Sequence, residues 1–121
     1  MSLSAGHTFL IPIKLGYKDH LWIVLFDPDA SGNTIIANVT TEMALSDLTV
    51  RLAPEDHPFI CRPSVIFYAE ACIANVSDIE KAVNAGIGEY KEPISQTLLN
   101  KVREGIINSP HTKIKIQDYY K

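Results

Sequence analysis

The chain has 121 residues, of which 46% are hydrophobic and 21% charged, the balance of one globular domain and not of a disordered, collagenous or coiled-coil protein. The net charge is −3, from 11 basic and 14 acidic residues. That argues against a protein that coats nucleic acid by bulk attraction. The longest apolar run, Leu21 to Phe26, is six residues, too short to cross a bilayer. No charged and then apolar leader opens the sequence, so the expectation is a soluble cytoplasmic domain without membrane contact.

In chain order, Phe9, Ile11, Ile13 and Leu15 alternate along one face of a first strand, which Pro12 marks as an edge strand. His20 to Phe26 is continuously apolar, the pattern of a strand buried on both sides. Asp27 to Asn33 is dense in turn formers, and Thr34 to Thr40 predicts a third strand. Asp47 to Leu52 alternates cleanly, with Leu48, Val50 and Leu52 expected inward. Ala53 to Pro63 holds three prolines and predicts an irregular loop. Ser64 to Ile73 predicts a fifth strand that pauses at Glu70.

The remainder has helical spacing. Ser77 and Glu80 stand as in a capping box, and Ile79, Val83 and Ile87 follow before Gly86 and Gly88 end the run. This predicts a helix near 78–85. Ile94, Leu98, Val102 and Ile106 form a stripe at every fourth residue, predicting a second helix over 94–108 that Ser109-Pro110 stops. Lys113-Ile114-Lys115-Ile116 alternates as a short final strand would. Strands at near-regular spacing without crossover helices predict one mainly β (α+β) domain. It would be a small antiparallel barrel over about 7–75 with a helical C-terminal part over 77–109.

The charges are unevenly spread. Residues 1–60 carry three basic and seven acidic side chains, whereas residues 101–121 carry five basic and two acidic, a local basic surface. Cys61 and Cys72 lie in apolar stretches without metal or redox spacing and read as buried free thiols. The four histidines form no metal-ligand pattern and no nucleotide-binding glycine motif is present, so no metal and no cofactor are expected.

Three places are candidates for chemistry. Tyr17-Lys18-Asp19-His20 suits a solvated hairpin end, yet Lys18 and His20 also combine a phosphate-binding cation with a residue type that titrates near neutral pH. Thr40 and Thr41 place two hydroxyls at a strand end, where they also suit a turn. Glu55-Asp56-His57-Pro58-Phe59 puts an acid before an imidazole, a base with its orienting partner or a structured loop.

In order, His20-Leu21 to Asp29, Asn38-Val39-Thr40-Thr41, and Glu55-Asp56-His57-Pro58-Phe59-Ile60 followed by Ser64 resemble a divergent branch of the PemK/MazF (Kid) toxin family over about residues 7–85. The resemblance implies an SH3-like barrel, a homodimer, an antitoxin-like protein partner and metal-independent cleavage of single-stranded RNA by its own 2′-hydroxyl. It implies that Lys18, His20, Thr40 and His57 are catalytic, and that Thr41, Arg62 and Ser64 bind substrate. Where the family carries an arginine, this chain has Lys18, Asp19 and His20. Lysine lacks the two-pronged guanidinium contact. The expectation is therefore an endoribonuclease of weakened activity or, as the alternative, a non-catalytic barrel that binds a protein partner or nucleic acid.

Overall fold

The computed structural model describes residues 3–12 and 19–120, and these form seven strands and three helices. The strands are β1 (Thr8–Pro12), β2 (Asp19–Val24), β3 (Asn33–Thr41), β4 (Arg51–Leu52), β5 (Ser64–Ile66), β6 (Cys72–Asn75) and β7 (Glu89–Lys91). The helices are α1 (Val76–Asn84), α2 (Gln96–Asn108) and α3 (Ile114–Tyr120). Every pairing is antiparallel, in the order β4-β5-β3-β2-β1-β7, with β6 also on β3.

The nine-residue β3 organises the sheet. One of its edges pairs with β2, while the other is shared by β6 at Asn33–Ile36 and β5 at Val39–Thr41. The stretch expected as one strand over 64–73 is thus two, separated by a 3-10 turn at Tyr68–Glu70 where the pause was expected. The mainly β, α+β class holds. The expected barrel is not closed, for no ladder among the described residues joins β4 to β7.

Alternation along the strands divides the apolar side chains between two cores. Leu10, Leu21, Ile23, Ile35, Ala37, Val39 and Ile66 meet the predicted stripe of Leu98, Val102 and Ile106 from α2, together with Ile116 from α3. Phe9, Val24 and Ile36 point the other way and meet Ile79 of α1 and Leu3. The central strands are therefore buried on both faces, which is why His20 to Phe26 reads as a continuous apolar run.

Several expectations are corrected. Pro12 does not mark an edge strand: β1 lies between β2 and β7, and Pro12 sits beyond the last β7 pair, Leu10–Glu89, where no donor is needed. Ile13 and Leu15 lie outside the described residues. Leu48 is exposed, because the chain bends through Asp47–Thr49 and only Arg51–Leu52 forms a strand. The cap of α1 is Asn75, whose Oδ1 accepts from the Ser77 amide and hydroxyl, so Ser77 lies inside the helix. Gly86, at φ +80°, ends the helix as expected, but Ile87 is exposed. The final segment is not a strand: Ile116 is fully buried while Ile114 is exposed, and the Ile116 and Gln117 amides donate to the Lys113 carbonyl to start α3. Among the described residues no helix is long and apolar enough to cross a membrane.

Candidate functional site

The ladder between β2 and β3 ends at the pair Leu21–Val39. Beyond it the strands part, carrying Asp19 and His20 on one side and Thr40 and Thr41 on the other. The opening is a cleft of about 240 Å³, walled by Ser64 at the start of β5 and by the loop segment Phe59–Arg62. Five residues expected at the site thus share one concavity: His20, Thr40, Thr41, Arg62 and Ser64. Lys18 lies outside the described residues.

Each wall has a local cause. Pairing of Thr41 with Ser64 and of Thr40 with Val65 fixes the hydroxyls at the rim. Ser64 turns its Oγ back to donate to the Arg62 carbonyl at 2.9 Å, pinning the loop where it enters β5. Arg62 is left exposed, a cation at the mouth. Glu42, next after Thr41, donates its amide to the Pro63 carbonyl and holds Arg51 through both carboxylate oxygens, at 2.8 and 3.0 Å.

His57 is not in the cleft. It is 3% exposed, and both ring nitrogens are engaged. Nδ1 accepts from the Phe59 amide at 3.0 Å, which places the ring proton on Nε2, 2.7 Å from the Glu92 carbonyl and 3.3 Å from Thr8 Oγ1. The Ile60 amide also donates to the His57 carbonyl. The expected catalytic role is corrected to a positioning one: His57 ties the cleft-walling loop to β1 and to the segment after β7. The acid before it, Asp56, is no partner of the ring; its carboxylate caps the Ala53 amide.

Cys61 is the other correction. It is exposed and lines the cleft beside Arg62, whereas Cys72 is half-buried and its thiol is pushed up by burial. The loop's prolines and its tether through His57 hold residue 61 outward, and nothing in the apolar local sequence signals this. Phe59 and Asp19 are further lining residues that the sequence reading left out. Phe59 was legible only as the hydrophobe after a His-Pro pair.

The cleft therefore offers one imidazole, one guanidinium, three hydroxyls, a thiol and one carboxylate, that of Asp19, around a half-open space. Hydroxyls and a guanidinium are donors suited to an anionic oxygen, and the imidazole can take or give a proton. Among the described residues, no three His, Cys, Asp or Glu side chains converge as metal ligands do. A second concavity of about 350 Å³ lies on the far side of Thr40 and Thr41, walled by Met43, Leu45, Phe67 and His111. No family model matches the chain, and no curated protein sequence matches it.

Proposed function

We propose that the chain binds single-stranded RNA in this cleft and cleaves it as a weakened endoribonuclease of the PemK/MazF type, acting in the cytoplasm. The observation that supports this reading is the meeting of His20, Thr40, Thr41, Arg62 and Ser64 in one concavity, although they come from three strands and a loop far apart in sequence.

In the reaction the ribose 2′-oxygen attacks the adjacent phosphorus. The O2′–P bond forms as the P–O5′ bond breaks, leaving a 2′,3′-cyclic phosphate and a 5′-hydroxyl. His20 takes the proton of the attacking hydroxyl, and the departing 5′-oxygen takes one from water. Thr40, Thr41 and Arg62 donate to the phosphoryl oxygens as charge builds on them. Because the chain has Lys18, Asp19 and His20 where the family pattern has an arginine, it has less two-pronged phosphate recognition than that pattern supplies. A homodimer and an antitoxin-like protein partner belong to the same reading.

The test is incubation of purified protein with long single-stranded RNA in EDTA, with mapping of fragment ends. The expected result is cuts bearing cyclic phosphates, slowed about 10²-fold or more in His20→Ala and also reduced in Thr40→Ala. Binding that weakens steeply with salt, without any cut, favours the non-catalytic binding module instead. Absence of both binding and cleavage overturns the proposal.

A further inference from the structure

Thr40 and Thr41 wall two concavities, and only one has been given a role. The second is the more apolar of the two: Phe67 is 37% exposed, Met43 71% and Leu45 98%. Register explains the adjacency. Val65 pairs with Thr40, so Phe67, two residues on, emerges on the same face about 7 Å further along. The Phe67 amide is tied to the Asn38 carbonyl at 2.9 Å, which fixes the base of the ring.

Basic residues follow the groove wall along the chain. His111 is part of that wall, and Lys113, just before α3, and Lys115, in its first turn, are both exposed. The wall also carries one carboxylate, Asp47, which accepts from the Ser109 and Thr49 hydroxyls and has His111 as a neighbouring basic group.

We propose that this groove is the track for nucleotides flanking the phosphate held in the cleft, with a base stacked on Phe67 against Met43 and Leu45, and the following phosphates at Lys113 and Lys115. Single-stranded nucleic acid is bound in general by an aromatic platform beside a basic edge, because every base has a π-face and every linkage a charge. Here the platform adjoins the phosphate cleft through the two shared threonines. The proposal rests on the RNA reading of the cleft and adds its substrate subsite. A protein segment is the competing occupant, but the two exposed lysines just past His111 and the continuity with the cleft through Thr40 and Thr41 favour the polyanion.

The experiment uses a fluorescein-labelled uridine decamer with 2′-O-methyl groups, which binds without being cut, and an abasic decamer of the same backbone. Anisotropy is read over a range of salt concentrations. Phe67→Ala is expected to weaken the uridine decamer about tenfold and to leave the abasic one unchanged. Lys113→Ala/Lys115→Ala is expected to flatten the slope of log affinity against log salt by about 1.4, the share of two phosphates on a single strand. All three side chains are exposed, and matching thermal midpoints show that the variants fold. If the wild type binds and His20→Ala abolishes cutting, yet both variants bind RNA like the wild type, the track is overturned and the cleft reading survives. If the wild type binds no RNA, both fall.

Discussion

Ser109, at the end of α2, and Asp47, in the bend before β4, meet through a hydrogen bond in which the Ser109 hydroxyl donates to Oδ2 at 2.5 Å. The other oxygen, Oδ1, accepts from the Thr49 amide at 3.0 Å and from its hydroxyl at 2.5 Å. Ser109 is almost fully buried and also accepts from the His111 amide, so one contact locks the helical part of the chain onto the sheet. Partial burial raises the Asp47 carboxyl. The bonds from Ser109 and Thr49, with the charge of His111, outweigh it and leave the carboxyl below its ordinary range.

A carboxyl whose pKa is lower folded than unfolded stabilises the fold above the unfolded value, and that contribution fades as pH falls through the folded one. Asp47→Asn is therefore expected to lower the urea midpoint at neutral pH, with the deficit shrinking as the pH falls below the ordinary aspartate range. Ser109→Ala should cost about 1 kcal/mol, since Asp47 is largely solvent-screened. That amounts to about 3–5 °C in thermal midpoint for a domain of this size. A deficit independent of pH in Asp47→Asn would mean that the carboxylate charge plays no part.

Gly105 lies in the middle of α2, on the face turned to the sheet. A Cβ there would stand 1.8 Å from Tyr68 Oη and 2.3 Å from Cζ. The Tyr68 ring cannot withdraw, for it is fully buried and its hydroxyl donates to the Val102 carbonyl at 2.8 Å. Burial pushes the phenol far above its ordinary pKa, which keeps this donor protonated. Gly105→Ala, which would gain about 1 kcal/mol of helix propensity on an open surface, is instead expected to destabilise by about 2–4 kcal/mol through overpacking. Chemical denaturation decides the sign, and Tyr68→Phe should cost no more than about 1 kcal/mol.

Legibility followed the periodicity of the side chains. The stripe of Leu98, Val102 and Ile106 and the apolar β2 announce their own burial, so α2 and the central strands were readable. Strand β7 was not, because Glu89–Lys91 is too short to alternate, and its place is set by pairing with Thr8–Leu10. The signal it did leave was Gly88, where a Cβ would stand 2.7 Å from Ile11 Cγ1. Alternation misled at Ile114 and Ile116, since two isoleucines two apart fit a strand and one exposed turn of helix alike. In the cleft, hydroxyls at a strand end were readable as a motif. Whether an imidazole faces solvent or a carbonyl depends on residues as distant as Glu92, and that separated His20 from His57.

His57 itself yields a test of positioning against chemistry. His57→Ala leaves the Phe59 amide without its acceptor, and the Glu92 carbonyl keeps only Thr8. The expected cost is about 1–3 kcal/mol for the unsatisfied group, together with loss of RNA affinity as Phe59 and Arg62 drift. His57→Asn can present Oδ1 to the Phe59 amide and should recover much of both. A catalytic imidazole would show the reverse pattern: stability nearly unchanged, the rate lost equally in both variants, and one limb of the pH–rate profile removed.

The ion pair at the rim makes a prediction about charge alone. Arg51 grips Glu42 through two nitrogens, and Glu42 raises the guanidinium's already high pKa further by hydrogen bonding and attraction. Both lie at the surface, so the pair adds little to stability. Its consequence is electrostatic: Glu42 follows Thr41 of the cleft wall, and Arg51 cancels a carboxylate that would repel an incoming phosphate. Arg51→Ala is expected to weaken RNA binding several-fold at about 0.05 M salt and hardly at all at about 0.5 M, where the screening length falls to a few ångströms. The thermal midpoint should stay unchanged. Adding Glu42→Gln to Arg51→Ala should restore the affinity, because the repelling charge is then gone. If the double variant binds as weakly as Arg51→Ala, Arg51 contacts the RNA itself and is not a screen for its neighbour.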